Sequence, residues 1–216
     1  MQTFYLHCTI FAVLLFAFHI HFRLMTQIIV HIADSSHFHF APLICDEIEI
    51  SAKIRGTGIA KRTVEYIEDK MKQGKAIIAL TEDDIWVGFC YIETWEDGKY
   101  VANSGLIVSR EFRGHGIATK IKKKVFELSR NKYPEAKIFG LTTGAAVMKM
   151  NSDLGYRPVT YSELTSDESF WNGCSSCVNH PILISKSSKN CLCTAMLYEP
   201  QMVEISIPDK AQEESA

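Results

Sequence analysis

Two stretches of this chain hold the residues best suited to chemistry. The first is Arg113-Gly114-His115-Gly116, running on into Ile117, Ala118 and Thr119. It follows an uncharged segment, residues 101–108, that ends in Leu106, Ile107 and Val108. It precedes one in which Ile117, Ile121, Val125 and Leu128 recur at helical spacing. A strand that passes through a glycine-rich turn into a helix binds phosphate. The first-turn amides have no internal partner, they sit at the positive end of the helix dipole, and glycines let an anion approach the backbone. The second stretch is Cys174-x-x-Cys177 followed by Cys191-x-Cys193. The first pair makes a two-thiolate knuckle, and Cys-x-Cys on a strand turns both sulfurs to one face, so the four can close a tetrahedral structural zinc site. The spacing leaves buried free thiols and redox chemistry open as alternatives. His180 is a substitute ligand or an ordinary surface histidine.

Arg113, Gly116 and Ala118, read as Arg-x-x-Gly-x-Ala after a Leu-x-Val strand end, resemble the acyl-CoA pyrophosphate loop of the GNAT superfamily of N-acetyltransferases. The resemblance implies an α/β (α+β) fold with a mixed central sheet and helices on both faces. It also implies an acyltransferase that moves an acetyl or succinyl group from acetyl-CoA or another acyl-CoA to the amine of a small molecule. It assigns the backbone amides of Leu106, Ile107 and Val108 to the acyl oxygen and pantetheine arm. Those of Gly114, His115, Gly116, Ile117, Ala118 and Thr119 fall to the pyrophosphate, with Arg113 adding charge.

Departures from the family pattern fall on the catalytic side chains. Asn151 stands where many members carry a tyrosine acid; it cannot give up a proton as an acid but, as a candidate catalytic residue, can hydrogen-bond a thiolate or orient water, and Gly144 replaces a common asparagine. No acid occurs in residues 99–109 or 138–143, where relatives often place a base. Glu93, alternating with Tyr91 and Trp95 on one face, is the better placed of two nearby carboxylates to deprotonate the amine through water, and Glu96 reads as a turn residue. The run Lys120-x-Lys122-Lys123-Lys124 reads as the solvated face of its helix, with the 3′-phosphate of coenzyme A as its alternative use.

Gly88-Phe-Cys-Tyr-Ile-Glu93, Phe139-Gly-Leu-Thr-Thr143 and Cys191-Leu-Cys-Thr-Ala-Met196 are also similar to a bacterial subgroup associated with arginine biosynthesis, which implies N-acylation of glutamate. An acceptor with two carboxylates suits Arg55 and Lys61-Arg62. Two rival readings stay open: a protein or N-terminal acetyltransferase, and a non-catalytic acyl-CoA sensor. Arg55-Gly-Thr-Gly58-Ile59-Ala60 repeats the loop pattern, but it follows a segment with Asp46, Glu47 and Glu49 that reads as a helix. It is therefore expected to be a helix–turn–helix joint, which the resemblance to the family places beside the acceptor. There Arg55 either grips a substrate carboxylate or caps its own helix.

The elements that must position these residues follow from periodicity. A strand over 28–32 leads to helices over 36–54 and 59–73, and strands follow over 76–80, 85–95 and 99–109. After the loop helix, which extends to about residue 131, come a strand over 138–143, a short helix over 145–153 and a strand over 156–161. A cysteine-bearing insertion over 165–193 overlaps a last strand over 191–198. Phe170 and Trp171 are expected to pack the insertion onto the sheet. The acyltransferase domain spans 25–200, and the polar tail 201–216 reads as disordered.

Composition bounds the rest. With 216 residues, 47% hydrophobic and 22% charged, the chain can bury one full core, and a formal charge of −2 gives nucleic acid no electrostatic hold. Residues 1–24 are apolar and read as a start-site artefact or dispensable extension ahead of Met25, with a membrane anchor or signal peptide as alternatives. A cytoplasmic enzyme for a small-molecule amine, without a membrane role, is the expectation. Its oligomeric state is left open, a homodimer included.

Overall fold

The computed structural model describes residues 27–56 and 61–200. The expected extension, the polar tail and Gly58, Ile59 and Ala60 of the repeated pattern lie outside them. The elements run β1 (Ile28–Ile32), a 3-10 turn (Ser35–Phe40), α1 (Ala41–Arg55), α2 (Val64–Lys72), β2 (Ala76–Thr81), β3 (Trp86–Trp95) and β4 (Tyr100–Val108). There follow α3 (Ile117–Lys132), β5 (Lys137–Thr142), α4 (Ala145–Asp153), β6 (Arg157–Val159), α5 (Glu168–Asn172), α6 (His180–Ser185) and β7 (Thr194–Tyr198). One seven-stranded sheet has the order β1-β2-β3-β4-β5-β7-β6, in which only β4 and β5 pair in parallel. Among the described residues, no helix is long and apolar enough to cross a membrane.

Several boundaries differ from the sequence expectation, each for a local reason. The segment expected as one helix over 36–54 opens with a 3-10 turn, because Asp34 accepts the Ser36 amide in a capping box. The α-helix proper then begins at Ala41, with Pro42 in its first turn. Helix α2 starts at Val64 rather than residue 59, because the Thr63 side chain accepts the Tyr66 amide. The strand expected over 156–161 stops at Val159, where Thr160 and Glu163 form a second capping box. The last strand begins at Thr194, past both Cys191 and Cys193.

Strand alternation sorts the core onto the two faces of the sheet. Ile77, Ala79, Val101, Ile138 and Met196 meet Ile117, Ile121, Val125 and Leu128 of α3 on one face. Each fully buried aliphatic side chain there contributes about 1.5–3 kcal/mol. On the other face Ile78, Phe89 and Tyr91 bury Ile44, Ile48, Ile67 and Met71 of α1 and α2. Further along that face Ala102, Phe139 and Leu197 are covered by the insertion. As expected, Phe170 and Trp171 anchor it, with the Phe170 ring 5.0 Å from Phe139 and 5.5 Å from Trp95.

Two irregularities in β4 open the sheet between these two covers. Pairing with β5 is confined to Tyr100↔Lys137, Val101↔Ile138 and Ala102↔Phe139, so the strands part from Asn103 onward. On the other edge the register with β3 shifts, Phe89 facing Ile107 but Tyr91 facing Ser104, and Gly105 in the bulge has φ +67°. A Cβ at Gly105 would run into the fully buried Tyr91 ring. Gly105→Ala is therefore expected to lower stability by about 3 kcal/mol, read from the denaturation midpoint, because backbone conformation and packing both oppose it.

Candidate active site

At the phosphate end the loop is built as an open cradle. Gly114 and Gly116 have φ +84° and +74°, and Gly116 is the N-cap of α3, with no side-chain cap. A Cβ on either glycine would meet nothing within 4 Å, and residues 113–116 are exposed. The amides of Gly114, His115, Gly116, Ile117, Ala118 and Thr119 thus surround a helix terminus that no side chain fills. The His115 ring turns back toward the Phe112 carbonyl, at 3.4 Å.

Arg113 differs from its expected role. Its Nη2 donates to Glu47 Oε1 at 2.8 Å and to Ser51 Oγ at 2.8 Å, while Nε donates to the Val108 carbonyl at 3.0 Å. Glu47 is buried on α1 and also faces Arg110, at 3.4 Å. A buried carboxylate must be paired, and Arg113 supplies that partner. The arginine therefore fastens the loop to α1.

Where β4 and β5 part, a cleft of about 700 Å³ passes between the faces of the sheet. Asn103, Ser104, Gly105 and Leu106 form one wall, and Gly140 through Gly144 form the other. Among the described residues no strand pairs with this edge of β4 from Asn103 onward, and the Ser104 carbonyl there accepts from Cys90 Sγ at 3.2 Å. Leu106 lines the cleft, whereas Ile107 and Val108 bury their side chains on either side of the sheet. From the α3 face Lys122 and Asn151 reach the cleft. Asn151 is buried, and its Oδ1 has no hydrogen-bond partner among the described residues. Lys122 is the largest departure from the sequence reading: the expected solvated lysine is only 3% exposed.

On the opposite face the mouth lies between α1, α2 and the insertion. Arg62 Nε donates to the Tyr91 hydroxyl at 2.6 Å, and its guanidinium carbon lies 5.3 Å from the centre of the Tyr66 ring. The Tyr66 hydroxyl donates to Glu93 Oε1. Burial, then the neighbouring Tyr91 and Glu93, raise the Tyr66 pKa far above its ordinary value, so it stays a donor. Glu93 lines the mouth, and the Tyr66 hydroxyl occupies one of its two carboxylate oxygens. Arg55 Nε caps its own helix through the Ser51 carbonyl at 3.1 Å, the second of its two expected uses, and the residue also lines the cleft. Lys61 lines the mouth too, and its amide donates to Ser176 Oγ at 2.9 Å, joining the insertion to the α1–α2 joint. Glu96, read as a turn residue, has φ +50° and accepts from Thr165 Oγ1 and the Ser166 amide, both at 2.8 Å.

The expected zinc site has no counterpart. Among the described residues no group of three or more His, Cys, Asp or Glu side chains is arranged to hold a metal ion. With β7 starting at Thr194, no strand pleat turns Cys191 and Cys193 to one face. Cys191 Sγ donates to the Asn179 carbonyl at 3.7 Å, and Cys177 Sγ accepts the Asn179 amide at 3.4 Å. Burial and the neighbouring Cys191, Cys177 and Cys174 push the Cys193 thiol up to about 12, and burial also raises Cys174. All four are free thiols, and Cys174, Cys177 and Cys193 line the mouth; His180 begins α6.

Comparison with known proteins bears on the fold. Residues 74–149 match the family model described as Acetyltransferase (GNAT) family. No curated protein sequence matches the chain. Among solved structures it is similar to N-acetylglutamate synthase from Neisseria gonorrhoeae complexed with coenzyme A and N-acetyl-glutamate, with TM-score 0.58 and 15% identity over 82% of this chain and 36% of that one. The chain thus spans only about a third of that protein's length. It is also similar to Rv2747 from Mycobacterium tuberculosis in complex with CoA, with TM-score 0.56 and 17% identity over 79% of this chain and 98% of that one. A third is yncA from Salmonella typhimurium with its cofactor acetyl-CoA, with TM-score 0.55 and 14% identity over 86% of this chain and all of that one, 100%.

Proposed function

We propose that this chain, whose residues 74–149 match the GNAT acetyltransferase family model, transfers an acetyl group from acetyl-CoA to the amine of a small carboxylate-bearing acceptor, glutamate being the first candidate. One observation carries the reading. An uncapped glycine-rich helix terminus follows the same strand, β4, whose open edge walls a cleft with a cationic mouth. The terminus takes the diphosphate, the open edge takes the pantetheine arm and the acyl oxygen, and Arg62, Lys61 and Arg55 take the acceptor's carboxylates. Glu93 receives the proton that the amine must lose, through water. The cationic mouth disfavours a polyamine acceptor.

The test measures thiol release from acetyl-CoA and succinyl-CoA against glutamate, aspartate, glutamine, spermidine and a lysine peptide. Turnover confined to spermidine or the peptide would remove the acceptor assignment. Coenzyme A binding without turnover on any amine would favour an acyl-CoA sensor. Arg62→Met is expected to raise the KM for the dicarboxylate acceptor more than tenfold, with the KM for acetyl-CoA within twofold of the parent. An equal rise in both would mean that Arg62 only holds Tyr91 and Tyr66 in place.

A further inference from the structure

Lys122 is a buried lysine with little to satisfy it. It stands on α3 beneath the point where β4 and β5 part, lines the cleft, and is 3% exposed. Its Nζ donates to Asn103 Oδ1 at 3.1 Å and lies 5.0 Å from the centre of the Tyr156 ring. Asn103 is itself fixed, because its Oδ1 also accepts the Tyr156 hydroxyl at 2.9 Å and its Nδ2 donates to Ser129 Oγ at 2.8 Å. An ammonium has three donors, and one acceptor is found for them among the described residues.

No carboxylate forms an ion pair with Lys122 among the described residues. The titratable groups facing it are the Cys90 thiol on β3 and the Tyr156 phenol beside β6. Burial holds both neutral: Cys90 is pushed up to about 11 and Tyr156 well above its ordinary value. A buried cation without a counter-ion costs stability unless a ligand supplies the anion. In a cleft for thioester transfer, the anion that forms is the sulfur of the departing thiolate. The acid that the family pattern would place at position 151 is here an asparagine, which cannot give up a proton at neutral pH.

We propose that Lys122 is the proton donor to the leaving thiolate of coenzyme A. This rests on the acetyl-transfer reading above. The acceptor's ammonium gives one proton through water to Glu93, which passes it to solvent; the free amine nitrogen then bonds to the thioester carbon, giving its surplus proton to Glu93 by the same route, and the carbonyl pair moves to oxygen. As the C=O bond reforms, the C–S bond breaks, and sulfur keeps the electron pair and takes a proton from Lys122. The thiol leaves, and the proton on Glu93 returns through solvent to the neutral lysine, so charge and protons balance over the cycle. Burial brings Lys122 down to about 8, close to the ordinary pKa of a thiol, which suits proton transfer between the two at neutral pH.

The experiment compares the full chain with Lys122→Met, which keeps the length of the side chain and removes its charge. Lys122→Met is expected to lower kcat about 100-fold. The dissociation constant for coenzyme A should change less than threefold, and the melting temperature should hold or rise, because an unpaired buried charge is gone. In the parent, kcat at saturating acceptor should fall as the pH rises through about 8, since the donor must be protonated to act. The variant should lack that alkaline limb. A kcat within twofold of the parent, or an alkaline limb retained by a folded variant, overturns the assignment. Should Lys122→Met fail to fold, a parent profile flat to pH 10 overturns it, and an alkaline limb there, with Lys122→Gln slow but folded, supports it. If the parent neither binds coenzyme A nor transfers acetyl, the acetyl-transfer reading itself fails and takes this assignment with it.

Discussion

Valine in place of Gly116 is expected to raise the dissociation constant of coenzyme A at least about 1000-fold, a loss of about 4 kcal/mol. Gly116 holds φ +74° as the N-cap of α3, where a β-branched residue is strained by about 1–3 kcal/mol. The backbone can shed that strain only by leaving the left-handed region. Doing so re-aims the amides that follow and removes the convergence of donors on one anion. The penalty is one of backbone conformation and not of crowding, since a Cβ at Gly116 meets no atom within 4 Å. For the same reason the apolar face of α3 is untouched and the variant should still unfold cooperatively, with a stability loss of about 1–2 kcal/mol. Isothermal titration with coenzyme A measures the effect, and acetyl-pantetheine, which lacks the diphosphate, is the control. The variant should bind acetyl-pantetheine as the parent does. Equal losses for both ligands would place the damage in the cleft and remove the diphosphate from the loop.

Much of this was legible in the sequence because local physics decides it. The glycines that bracket His115 need positive φ, and a helix whose Ile117, Ile121, Val125 and Leu128 all turn inward must bury that stripe on a sheet. What could not be read rests on distant partners. Nothing near Arg113 announces that Glu47, on a different helix, will claim its guanidinium. The parting of β4 and β5 is a property of the assembled sheet, and no residue in either strand signals it. Lys122 did leave a trace. Ala118, Lys122, Val125 and Ser129 recur at helical spacing beside the aliphatic stripe, and small neighbours at 118 and 129 make room for a long side chain to turn inward. In a run of lysines that phase is hidden, because the neighbouring Lys120, Lys123 and Lys124 are exposed. The cysteines failed the other way: their zinc geometry assumed a strand that begins one residue after Cys193.

Glu93→Gln is expected to lower kcat/KM for the acceptor about 100-fold at pH 7, the usual scale of one general base. The substitution keeps the side chain's length and an acceptor for the Tyr66 hydroxyl, so the wall formed by Tyr66, Arg62 and Tyr91 is retained. What is lost is the negative charge beside two cations, Arg62 and Lys70, whose own protonation Glu93 favours. Only the free amine attacks a thioester. Without the carboxylate its deprotonation falls to solvent, so the variant's rate should climb about tenfold per pH unit below the amine's pKa, where the parent's climbs less steeply. Tyr66→Phe separates this from a packing effect. It removes the hydrogen bond to Glu93 and leaves the carboxylate, so it should cost under tenfold and leave the slope unchanged. If Glu93→Gln and Tyr66→Phe proved equally slow, with parallel pH profiles, Glu93 would be a positioning residue for the mouth, and the amine would reach the thioester already deprotonated.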